Sequence, residues 1–136
     1  MMTDSTAASL RSVRRQIART LIEAGLRPNA AREMEVAVGE ALSNVHRHAY
    51  PSRIGLVFIE VFRTNEAVGV AIMDLGVATH ALAVPTSLPA RLMTGGRGLY
   101  LMGLLADEVQ ICVNLVGHGL TVTITKSLKP RRVLAA

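Results

Sequence analysis

The sequence predicts an α+β domain: a two-layer sandwich with helices on one face of a mostly antiparallel sheet. Three observations lead there. Apolar residues recur at three- and four-residue spacing through two long N-terminal segments, the mark of amphipathic helices. The period then changes to two in β-branched runs that come as sequence-adjacent pairs, the mark of hairpins. Helices grouped apart from paired strands segregate into layers, unlike the strict strand–helix alternation of a parallel sheet. With 136 residues, 50% of them hydrophobic, the chain fits one domain over residues 1–136.

The elements follow in order. Leu10, Val13, Ile17 and Leu21 form one stripe of a helix over residues 9–24, and Gly25 is its stop signal. After Leu26-Arg27-Pro28, Asn29 is the expected cap of a second helix over residues 30–49. Met34, Val38, Ala41, Leu42, Val45 and Ala49 make its buried stripe, and Pro51 discourages its continuation. Residues 54–63 and 67–74 read as a hairpin across Thr64-Asn65-Glu66. Residues 75–96, rich in Ala, Pro, Thr and Gly without clean periodicity, read as a lid or binding loop. A helix over residues 98–106 and a second hairpin, 109–115 with 120–128, complete the order, with a frayed tail from Lys129.

Composition excludes several classes. The apolar fraction rules out intrinsic disorder. Cys112 alone permits neither an internal disulfide nor a cysteine-based zinc cluster, so a reducing cytoplasm is the expected location. The charge-free stretches 75–90 and 109–125 are interrupted by Thr, His and Gly, short of the ~20 predominantly apolar residues of a membrane span. Residues 1–10 lack the basic and apolar regions of a signal peptide. The basic residues behind the net charge of +5 are mostly arginine; Arg11, Arg14, Arg15 and Arg19 cluster near the start, and Lys126, Lys129, Arg131 and Arg132 at the end. That balance suits nucleic acid, an anionic surface or a phosphorylated ligand, and equally a set of solvated basic faces.

Three constellations carry chemistry. Glu40, Asn44 and His48 stand four residues apart on the second helix, each about 40° and about 6 Å from the last, beside the apolar stripe. A carboxylate there accepts a proton, and an amide oxygen is a hard ligand suited to Mg²⁺. Polar residues at this spacing also describe an ordinary solvated face. Asp74 ends an apolar strand before Leu75-Gly76, where its carboxylate either accepts from an amino group or simply starts a turn. Gly95-Gly96-Arg97-Gly98 opens the third helix, where free N–H groups and an arginine favour an anion, although a flexible connection looks the same.

Taken together, these segments resemble a known family. VAVGEALSNVHRHAY (36–50) resembles the N box of the ATPases shared by gyrase, the heat-shock chaperone, histidine kinases and the mismatch-repair protein MutL. AIMDLGVA (71–78) is similar to their first glycine box, GGRGLYLMGLLADEV (95–109) to their second, and GHGLTVTITK (117–126) to their last hairpin. The H-A-Y ending, the short lid and the L-x-D-E-V phrase are most similar to the small bacterial anti-sigma factors that act as serine kinases, and to the related switch kinases of stress signalling. The resemblance covers residues 10–128 and implies the Bergerat-type ATP-binding fold.

It also implies roles. Glu40 is the general base toward the attacking hydroxyl, and Asn44 coordinates Mg²⁺ bridging the phosphates of ATP. Asp74 binds the adenine amino group, Gly76 lets the base pack closely, and Thr121 stands near the adenine. Gly96, Arg97, Gly98 and Leu99 lie along the phosphate side; His48 receives no catalytic role. The implied partners are a sigma factor and an anti-anti-sigma protein of the STAS type, with the chain as a homodimer and neither nucleic acid nor membrane bound directly. The alternatives are a non-catalytic partner-switching module on the same fold and, through the arginine-rich first helix, a nucleic-acid binder. Two departures stand out. Ala78 occupies the position of the second glycine of D-x-G-x-G, and few residues precede Leu10 to supply the edge strand usual in the family.

Overall fold

The computed structural model describes residues 1–81, 84 and 97–129. Its elements are β1 (Met2–Asp4), α1 (Ala7–Glu23), α2 (Pro28–Asn44) running into a π-type turn (Val45–Ala49), β2 (Leu56–Arg63), β3 (Ala67–Asp74), α3 (Arg97–Leu105), β4 (Glu108–Val113) and β5 (Leu120–Ser127). The strands form one sheet in the order β1-β2-β3-β5-β4, with every neighbouring pair antiparallel. The α+β two-layer arrangement expected from periodicity is the one observed.

Each helix boundary has a local cause. Thr6 caps α1 by accepting from the Ser9 N–H at 3.3 Å. Asp4 in turn accepts from the Thr6 N–H at 2.9 Å and from the Thr6 hydroxyl. These bonds, the hydroxyl's first, hold the Asp4 carboxyl below the usual carboxylate range. At the other end Gly25, at φ 102°, donates to the Ile22 carbonyl while Leu26 donates to Leu21. That is a Schellman stop, open to glycine because a side chain is strained at positive φ. Asn29 does not cap α2: Arg27 is the N-cap, Pro28 is the first helical residue, and Asn29 accepts from Arg32 Nη2 at 2.6 Å. Proline wins the first position because its missing N–H is not needed there and its φ is already helical.

The stripes meet over the sheet. Ile17, Leu21, Met34 and Val38 are buried against Val57, Val68, Val70, Ile72 and Ile124, and each fully buried aliphatic side chain contributes about 2 kcal/mol. Lys126 is 8% exposed, and its ammonium donates to Glu33 of α2 and to the Leu105 carbonyl ending α3. On the opposite face of the sheet Phe62 covers Gly69, where a β-carbon would stand 2.1 Å from the ring. The short edge strand exists: β1 pairs with β2 through Met2↔Phe58 to Asp4↔Leu56. Strand β2 begins two residues later than the alternation suggests. Gly55 is bonded to Ser5 on both its N–H and carbonyl and lies under the Tyr50 ring, which takes it out of the ladder. No helix among the described residues is long and apolar enough to cross a membrane.

Candidate functional site

The site lies between α2, α3 and the end of the sheet carrying Asp74. A cavity of about 270 Å³ is lined there by Asn44, Val45, His48, Asp74, Ala78, His80, Leu99, Ile111, Leu120 and Val122, with Ala41 and Ala49. Its walls are mostly apolar, and its polar groups converge from three elements, the composition of a small-molecule site. Asn44, Asp74 and Leu99 are thus brought together from distant stretches of chain. A larger groove of about 750 Å³ at the far end of α2, lined by Arg27, Glu33, Asp107 and Lys126 among others, includes none of the residues to which the resemblance assigns a role.

Asp74 is the most constrained group. It is 5% exposed, and its Oδ1 accepts from the Gly76 N–H at 2.8 Å and the Leu120 N–H at 3.3 Å. Among the described residues nothing donates to Oδ2, which leaves one lone-pair edge for a ligand's N–H. Gly76 lies against the end of the π-type turn: a β-carbon would stand 2.2 Å from the Ala49 carbonyl oxygen, which accepts from Val77 at 3.0 Å. Tyr50 closes the corner from below. Its hydroxyl accepts from the Leu75 N–H at 2.7 Å and donates to the Leu56 carbonyl.

On the other side, Gly98 of α3 rests on α2. A β-carbon on Gly98 would stand 2.8 Å from Glu40 Oε2 and 3.7 Å from Asn44 Oδ1. Glu40 is half-buried and stands beside the cavity, outside its lining. Arg97 opens α3 as an exposed residue. Gly96 lies outside the described residues, as does most of the 75–96 loop.

Thr121 is placed differently from the expectation. Leu120 and Val122 line the cavity from β5, so the alternation of the strand turns Thr121 to the opposite face, where it bonds Asn114 Oδ1 at 2.7 Å. The side chain facing the cavity at this level is Leu120. Ala78 causes no backbone strain: among the described residues Ser52 is the only non-glycine at positive φ. The Ala78 carbonyl accepts from the Gly119 N–H at 2.8 Å.

Four residues here carried no assigned role in the sequence reading. Tyr50 stood within the H-A-Y ending, which was its signal. His80 lines the cavity, His118 Nδ1 bonds the Gly76 carbonyl at 2.9 Å, and Asn114 Nδ2 donates to the Asp74 carbonyl at 2.6 Å. The last two contacts span 42 and 40 residues, so no local pattern announces them.

Comparison with known proteins agrees with this fold. The family described as "Histidine kinase-like ATPase domain" matches residues 3–126. Two similar proteins, each called Serine-protein kinase RsbW, come from Bacillus mycoides (strain KBAB4) and Bacillus cereus (strain AH187). They are 27% and 28% identical over 109 residues. The match covers 74% of this chain and 66% of each relative, so the chain spans just under two thirds of the curated relatives' length. The histidine kinase domain of the blue-light activated histidine kinase EL346 from Erythrobacter litoralis superposes with a TM-score of 0.53 at 18% identity. That likeness, covering 88% of this chain and 61% of the other, concerns the fold.

Proposed function

The chain belongs to the histidine kinase-like ATPase domain family, and from that premise we propose that it is an ATP- and Mg²⁺-dependent protein-serine kinase. In this reading it phosphorylates a serine of an anti-anti-sigma antagonist of the STAS type and sequesters a sigma factor, working in the cytoplasm as a homodimer. The relatives' name supports the reaction class. The observation that carries the reading is the single cavity joining Asn44, Asp74 and Leu99, with Glu40 held beside it under Gly98.

The residues suit a nucleotide. Asp74 Oδ2 accepts from the amino group of adenine, and the apolar walls Val45, Leu99, Ile111, Leu120 and Val122 take the face of the base. Gly98 lets the start of α3 approach Glu40 and Asn44 closely, where a β-carbon would press on the Glu40 carboxylate. The Asn44 carboxamide oxygen is the hard donor for Mg²⁺, which prefers few protein oxygens. Bound Mg²⁺ supplies charge neutralisation along the phosphates. Glu40 takes the proton of the attacking serine hydroxyl as the new oxygen–phosphorus bond forms and the bond to the β-phosphate oxygen breaks, releasing ADP. Phosphoryl transfer asks little more of a protein than such positioning and electrostatics.

Glu40 and Asn44 standing together at Gly98 favour catalysis over a purely partner-switching module. Incubating the chain with labelled ATP, Mg²⁺ and a STAS-type antagonist encoded nearby tests the proposal. Label on an antagonist serine, lost in Glu40→Gln and Asn44→Ala, is the expected result. No transfer by a folded wild-type protein that binds ATP overturns the kinase activity.

A further inference from the structure

Behind Asp74, on the sheet face away from the cavity, two side chains form a relay. Thr121 Oγ1 donates to Asn114 Oδ1 at 2.7 Å, and Asn114 Nδ2 donates to the Asp74 carbonyl at 2.6 Å. An asparagine amide has an acceptor side and a donor side, so a hydroxyl donating to Oδ1 turns Nδ2 toward Asp74. The Asn114 backbone is pinned as well: its N–H donates to Gly119 at 3.0 Å, and its carbonyl accepts from Gly117 at 2.9 Å. Gly119 is what allows the crossing. A β-carbon there would stand 2.4 Å from the Asp74 carbonyl oxygen and 2.8 Å from Asn114 Nδ2.

The end of β3 is therefore clamped on both sides. The Asp74 carbonyl is held by Asn114, and its Oδ1 is held by the Gly76 and Leu120 N–H groups. With carbonyl and Oδ1 both fixed, Oδ2 has one direction in which to accept. We propose that Asn114, oriented by Thr121, is a positioning residue that sets the site's preference for 6-aminopurine over 6-oxopurine nucleotides. A 6-amino group donates to Oδ2; a 6-oxo group turns an acceptor toward it and is repelled. This inference rests on the nucleotide-binding reading above and adds the residues that hold Asp74 toward the base. It also gives Thr121 work to do from the far face of the sheet, without contact to the base.

The test is calorimetric titration of the full chain with ADP and with inosine diphosphate, in Mg²⁺, on wild type, Asn114→Ala, Thr121→Val and Thr121→Ser. Wild type is expected to prefer ADP. Asn114→Ala weakens ADP by about three- to tenfold, the worth of one hydrogen bond, and inosine diphosphate by less, so the ratio narrows. Thr121→Val narrows it in the same direction, and Thr121→Ser restores it because the hydroxyl remains. A merely structural role would weaken both nucleotides alike. Should Asn114→Ala fail to fold, Thr121→Val, an isosteric change outside the cavity, decides the matter alone. A wild-type preference left unchanged by the variants that fold overturns this inference and leaves nucleotide binding standing. A folded wild type that binds neither nucleotide overturns both.

Discussion

Gly98 packs so closely on Glu40 that a methyl group on its Cα would stand 2.8 Å from the carboxylate oxygen Oε2. Neighbouring Asn44 Oδ1, at 3.7 Å, would meet only ordinary contact. The two distances separate effects on the carboxylate from effects on the amide. Gly98→Ala displaces the flexible tip of Glu40 while suiting the helix, where alanine is favoured over glycine by up to about 1 kcal/mol. Stability should hold or rise, Mg²⁺–ATP affinity should change little, and serine phosphorylation should fall at least about tenfold through misplacement of the base. Thermal melting beside a single-turnover assay reads both.

Gly76 meets backbone rather than a movable side chain. A β-carbon there would stand 2.2 Å from the Ala49 carbonyl oxygen, so Gly76→Ala must push the Asp74 loop off the π-type turn. Overpacking of this kind costs about 1–3 kcal/mol. A melting temperature lower by roughly 4–12 °C is expected, with weakened ADP binding. Unchanged melting would mean that the loop relaxes freely.

Tyr50 is 7% exposed, and its hydroxyl serves Leu75 and Leu56 at once. Tyr50→Phe preserves the ring over Gly55 and strands one N–H and one carbonyl, costing about 1–3 kcal/mol in chemical denaturation. Because Leu75 follows Asp74, faster amide exchange at Leu75, Gly76 and Val77 should accompany it.

Asp4 gives the start of α1 an acid-sensitive edge. Its carboxyl is lowered in the folded chain by the Thr6 hydroxyl, the Thr6 N–H and Ser9. A lowered folded value means that the contribution is fully present above the unfolded carboxylate value and is lost as pH falls through the folded one. Amide protection at Thr6 and Ser9 should therefore drop in that acidic window and not at neutral pH. Asp4→Asn should abolish this step in an exchange profile taken against pH.

Much of the architecture was legible because it follows from period and punctuation. The stripe of Leu10, Val13, Ile17 and Leu21, the stop at Gly25 and the strand 67–74 appear where spacing placed them. Asn29 misled because two helix-start signals overlap, and Pro28 took precedence. The N box and Asp74 were legible as motifs, since each is a short run with its own chemistry. Thr121 was not, because strand alternation decides its face and the register shows only in the folded sheet. Asn114, His118 and His80 reach the site through tertiary contacts alone.

In the function proposed above, Asn44, Asp74 and Gly98 frame a Mg²⁺-dependent nucleotide site. Its most direct test is calorimetric titration of ATP into the folded chain with and without Mg²⁺, on wild type and on Asn44→Ala and Asp74→Asn. Saturable binding of one nucleotide per chain is predicted. It should be strengthened by Mg²⁺ in wild type, lose that strengthening in Asn44→Ala, and weaken in Asp74→Asn with or without the metal. No heat of binding to a wild-type protein shown by circular dichroism to be folded would contradict it.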